Sequence, residues 1–65
     1  MNTYEKLQAD TKECIDNAVA TLKIEGEEAF DLQLHIAGSL DDLIVELMAE
    51  FNIPTIGKTV LDTYK

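Results

Sequence analysis

Residues Leu22-Lys23-Ile24-Glu25-Gly26-Glu27-Glu28-Ala29-Phe30-Asp31-Leu32-Gln33-Leu34-His35-Ile36 decide between two folds. Phe30, Leu32, Leu34 and Ile36 alternate with Asp31, Gln33 and His35. In a strand, that period of two puts the apolar side chains on one face and the polar ones on the other. In a helix the same four apolar residues spread widely around the circumference. The pattern therefore predicts a β-hairpin with arms near Thr21–Glu25 and Ala29–Ile36, turning at Glu25-Gly26-Glu27-Glu28. The turn carries neither Asn-Gly nor Asp-Gly, the strongest hairpin signals. The alternative is a helix from Glu27 to Ala37. Glu27 and Glu28 would suit the positive end of its dipole, and Gln33 and Leu34 favour helix.

Outward from this stretch the periodicity is helical. Tyr4, Leu7, Cys14, Ile15, Ala18 and Leu22 recur every three or four residues, with Thr11 in the same stripe. They predict an amphipathic helix over Thr3–Ala20, capped by Asn2 or Thr3. On the other side, Gly38 is expected to end the ambiguous element and Ser39 to open a second helix. Ser39-Leu40-Asp41-Asp42 has the outline of a capping box, with Asp42 in place of Glu or Gln. Leu40, Leu43, Ile44, Leu47, Met48 and Phe51 form a broad apolar face, and Asn52-Ile53-Pro54 terminates the helix. Gly57 to Tyr64 reads as two helical turns, with Val60, Leu61 and Tyr64 packing inward and Ile53 and Ile56 holding the corner. The expected architecture is α+β: one compact acidic domain over residues 1–65, with an N-terminal helix, a hairpin and two C-terminal helical segments. An all-α bundle is the alternative.

A chain of 65 residues folds to a surface of roughly 4,000 Å² and buries only about 60% of what it exposes unfolded, so its core is small. Thirteen Asp and Glu oppose five Lys, and the formal net charge is −8. That balance repels nucleic acid and anionic membranes, both of which attract positive charge. No apolar run approaches the roughly 20 residues a bilayer requires. Cys14 is the only cysteine, which excludes an internal disulfide, and its place within the expected helix predicts a buried, reduced thiol. No basic segment leads into an apolar stretch at the N-terminus, so the cytoplasm is the expected compartment.

The chemical candidates are few. His35 is the sole histidine and falls on the polar side of the expected strand. One Cys and one His are too few for a structural zinc, and the acidic residues lack the spacing of a calcium loop. Gly57-Lys58-Thr59 lacks the earlier glycine of a phosphate-binding loop. No enzyme activity, cofactor or metal is expected. Gly38-Ser39-Leu40, the acidic helix after it and Phe51-Asn52-Ile53-Pro54 resemble the modified-serine region and second helix of acyl carrier proteins. That resemblance implies a pantetheine arm on Ser39, although Gly38 stands where the family has Asp. Leu47 through Leu61, with its turn at Asn52–Thr55, resembles a helix-turn-helix, opposed by the scarcity of positive charge.

The most specific feature is acidic. Asp42, Glu46 and Glu50 follow one another at four-residue intervals on one helix face. Each like-charge pair costs about 0.2–0.5 kcal/mol when exposed. The expected function is a small protein-binding or inhibitory module that engages a basic protein surface. Asp42, Glu46 and Glu50 would form its centre, with Asp41 and Val45 at the edge. A solubilising structural domain is the bland alternative. A homodimer is also expected, because a two-stranded ribbon leaves open edges that a second subunit can cover.

Overall fold

Asn2 accepts a hydrogen bond from the Glu5 backbone N–H at 2.8 Å, and the Glu5 carboxylate accepts from the Asn2 N–H at 3.5 Å. This reciprocal cap starts the first of three helices in the computed structural model, which describes residues 2–65: α1 (Thr3–Thr21), α2 (Gly26–Glu50) and α3 (Val60–Tyr64). All three contribute to one core.

α1 buries Tyr4, Gln8, Ile15 and Val19. This face is rotated from the expected stripe, since Cys14, Ala18 and Leu22 are exposed. Neighbouring positions on a helix point roughly 100° apart, so burying Ile15 turns Cys14 outward. The expected buried thiol is thus a surface one. α1 ends in a Schellman motif. The Lys23 N–H donates to the Ala20 carbonyl and the Ile24 N–H to that of Val19, with Lys23 left-handed at φ 57°. The expected first hairpin arm is therefore a helix terminus followed by a tight connection.

The described residues contain no strand, and the α+β expectation is overturned: residues 26–50 form one continuous helix. The reason lies in the inward seam. Ala29, Gln33, Ala37, Asp41, Ile44 and Met48 follow three- and four-residue spacing, and all are buried except Gln33, which is half-buried. Two alanines and two polar residues make that seam faint beside the alternating large side chains. Both polar members are satisfied by other helices. Gln33 Nε2 donates to Asp16 Oδ1 at 3.1 Å, and Asp41 accepts from the α3 backbone. The expected sheet face disperses as a helix requires: Phe30 is exposed, while Leu32, Leu34 and Ile36 are half-buried.

Gly38 does not break the helix, and Ser39 does not cap one. The Ser39 hydroxyl donates to the His35 carbonyl at 3.2 Å, one turn back within α2. The real terminus comes at Asn52, left-handed at φ 55°, in a second Schellman motif. There the Asn52 N–H donates to the Ala49 carbonyl and the Ile53 N–H to that of Met48. Pro54 follows at once and prevents continuation.

α3 is five residues long, shorter than the two turns expected from Gly57. Its cap is reciprocal: Thr59 Oγ1 accepts from the Asp62 N–H, and the Asp62 carboxylate from the Thr59 N–H. The buried Asp41 carboxylate accepts from the Val60 N–H at 2.8 Å and the Leu61 N–H at 3.0 Å. Val60 is buried and Leu61 and Tyr64 pack on the core as expected, whereas Ile56 is exposed.

The interior position of Gly38 yields a test of the continuous helix. Among the described residues, a Cβ added there meets no atom within 4 Å beyond its chain neighbours and the backbone of its own helix. Gly38→Ala should therefore raise stability by about 0.5–1 kcal/mol, or roughly 2–8 °C in melting temperature. A lowered melting temperature would show that the chain needs glycine there to turn.

Candidate protein-binding face

The outward side of the C-terminal half of α2, together with Phe51 just beyond its last residue, carries two adjoining rows. At 100° per residue, Asp42, Glu46 and Glu50 fall within roughly 80° of one another, as do Leu43, Leu47 and Phe51 beside them. All six are exposed. Leu43 is 59% exposed, Leu47 46% and Phe51 67%. Ile44 and Met48, which the sequence places on the same apolar face, turn into the core instead.

Charge along this face is unopposed within its own helix. Residues 26–50 include seven Asp and Glu and neither Lys nor Arg. The last turn of α2 contains no basic residue to offset the negative end of the dipole. Among the described residues both ion pairs lie in α1, Lys6–Asp10 and Lys12–Asp16.

The expected site residues separate. Asp42, Glu46 and Glu50 stand together on the surface. Val45 is 45% exposed, but the helical geometry sets it across the acidic row from Leu43 and Leu47. Asp41 points inward to cap α3 and is absent from the outer face. Leu43, Leu47 and Phe51 were legible only as members of one broad apolar face. The signal that they exceed the core is the breadth of the apolar arc from Leu43 to Met48, wider than α1 and a five-residue α3 cover.

Other groups with chemical potential serve the fold or stand alone. Asp16 joins all three helices: Oδ2 accepts from Lys12 Nζ at 2.8 Å, and Oδ1 from the Tyr64 hydroxyl at 2.6 Å as well as from Gln33. Lys12 Nζ also lies 4.8 Å from the centre of the Tyr64 ring. An open cavity of about 450 Å³ is lined by Glu5, Gln8, Ala9, Lys12, Gly57, Lys58 and Thr63. Among the described residues the buried Gln8 amide finds no hydrogen-bond partner. His35 and Cys14 are exposed and do not line that cavity. Ser39 sits inside α2 rather than at a helix start, where the carrier-protein resemblance needs it. In the helix-turn-helix comparison, the second helix would be only the five residues of α3. Among the described residues no three Cys, His, Asp or Glu converge to hold a metal, and no helix is long and apolar enough to cross a membrane.

These observations define a three-helix acidic protein with an uncovered apolar ridge. In comparisons with protein-family models, curated proteins and solved structures, nothing matches this chain.

The Asp16 cluster makes stability depend on pH. Burial raises the Asp16 carboxyl, but hydrogen bonds from Lys12 and Tyr64, the Lys12 charge and the Gln33 amide outweigh it and hold the carboxyl below 3.8. A depressed carboxyl contributes stability above its unfolded pKa, and that contribution disappears as pH falls through the folded value. The melting-temperature advantage of the native protein over Asp16→Asn should therefore be complete above 3.8 and shrink as pH falls below it. An advantage that does not change with pH would mean that the carboxyl has no such dependence on its partners.

Proposed function

We propose that this protein is a small acidic binding module that docks on a basic surface of another protein and blocks access to it. The observation that carries this reading is the adjacency of the Asp42–Glu46–Glu50 row to the exposed Leu43–Leu47–Phe51 ridge. Charge alone gives steering and salt sensitivity, while apolar area gives residence. The two together suit a partner better than a merely solubilising surface, which has no use for three large exposed apolar side chains in line. The arrangement also costs the free protein stability. Two like-charge pairs at four-residue spacing repel by about 0.2–0.5 kcal/mol each, and Glu50 opposes the dipole at the helix end.

Binding requires no catalytic group, cofactor or metal. The strand-edge argument for a homodimer disappears with the hairpin. The cytoplasm is the compartment we assign, because an exposed free thiol at Cys14 suits a reducing environment.

Neutralising Asp42, Glu46 and Glu50 together, as Asp42→Asn, Glu46→Gln and Glu50→Gln, should move stability and binding in opposite directions. The variant should melt slightly higher at low salt, because repulsion is removed, and lose that gain at high salt. It should bind a partner recovered from the source cell more weakly, with a flatter salt dependence. Unchanged affinity and unchanged salt dependence in the folded variant would remove the acidic row from the function.

A further inference from the structure

We infer that the occupant of this face is a single basic amphipathic α-helix laid along α2, an inference that rests on the protein-binding reading above. Leu43, Leu47 and Phe51 stand at i, i+4 and i+8 and extend for about 12 Å along the helix. The carboxylates of Asp42, Glu46 and Glu50 run parallel to this ridge on the adjoining arc. A partner must therefore present an apolar row and a basic row side by side. A helix does so, because residues three and four apart share a face and the next arc lies beside it. An extended strand sends alternate side chains to opposite faces, so only one of its two rows could meet α2.

Charge complementarity fixes the sign. The acidic row has no cation on its own helix, joins no ion pair among the described residues and continues to the negative end of the dipole, so Lys or Arg on the partner's flank relieves its repulsion. The same field disfavours a second copy as occupant. An antiparallel two-fold pairing across the leucine ridge sets each acidic row against its mate, between two molecules of net charge −8. Nucleic acid is repelled and offers no apolar row.

The test uses the full chain and a fluorescein-labelled peptide of about 18 residues, long enough to form a helix on binding. Its leucines follow i, i+4, i+7 and i+11 spacing, with lysines on one flank. An isomer of identical composition alternates leucine and lysine. Anisotropy titrations should show the helix-patterned peptide binding at least roughly tenfold more tightly than the isomer. The Leu43→Ala, Leu47→Ala, Phe51→Ala variant should lose roughly tenfold or more of that affinity with its helical circular dichroism intact. Should that variant lose helicity, Leu47→Lys alone serves the same purpose, because it places a cation against the peptide's lysines. Equal binding of the two peptides, weakened only by neutralising Asp42, Glu46 and Glu50, would overturn the helical occupant and leave the acidic recognition face standing. If neither set of substitutions changes binding, both readings fail. If sedimentation shows a dimer that the alanine variant dissolves, the ridge serves a second copy and the inference is wrong.

Discussion

The Asp41 carboxylate, seated in the core and accepting from the Val60 and Leu61 N–H groups, is the interaction on which the rest of the structure depends. A helix of five residues does not form on its own in water, because nucleation costs more than so few hydrogen bonds return. Here the first three backbone donors of α3 all have acceptors: two at Asp41 and the third at Thr59 Oγ1. The negative side chain also suits the positive end of the short helix. With α3 tied to the middle of α2, Val60 closes the core and the Tyr64 hydroxyl reaches Asp16 on α1.

This arrangement commits one side of α2 and leaves another free. The inward side is divided among Ala29, Ala37, Asp41, Ile44 and Met48, which meet α1 and α3. Two neighbours, one of them very short, do not enclose a helix of 25 residues. The molecule extends 37 × 19 × 19 Å and exposes 4637 Å², somewhat more than the roughly 4,000 Å² of a rounder protein of this length. The Leu43–Leu47–Phe51 ridge is part of that exposed surface. The proposed docking surface is thus a direct result of how few elements the chain has.

The ends of the fold were legible in the sequence and its middle was not. Regular apolar spacing gave α1 almost to the residue, and Asn52-Ile53-Pro54 marked the end of α2. Residues 29–36 misled because their large apolar side chains alternate, whereas the contacts that seat this part of α2 come from Ala29, Gln33 and Ala37. Gln33 and Asp41 are inward members of the seam only because Asp16 and the α3 backbone stand opposite them, and no local pattern records that. Gly38 suggested a break, but helical geometry accepts glycine where a neighbouring structure supports both sides. Lys23 gave no sign of a left-handed terminus, a position usually taken by glycine. The acidic row was legible as a surface. Its apolar neighbour was not, because Leu43, Leu47 and Phe51 share one apolar arc with Ile44 and Met48, which the core buries.

Amide hydrogen exchange at Val60 and Leu61 tests the Asp41 anchor most directly. If the carboxylate holds α3 as an integral part of the fold, these two amides exchange as slowly as those of Ile44 and Met48, opening only when the whole molecule unfolds. Rapid exchange at Val60 and Leu61, with Ile44 and Met48 still protected, would contradict the account. It would show α3 opening independently of α2, with Asp41 holding nothing in place.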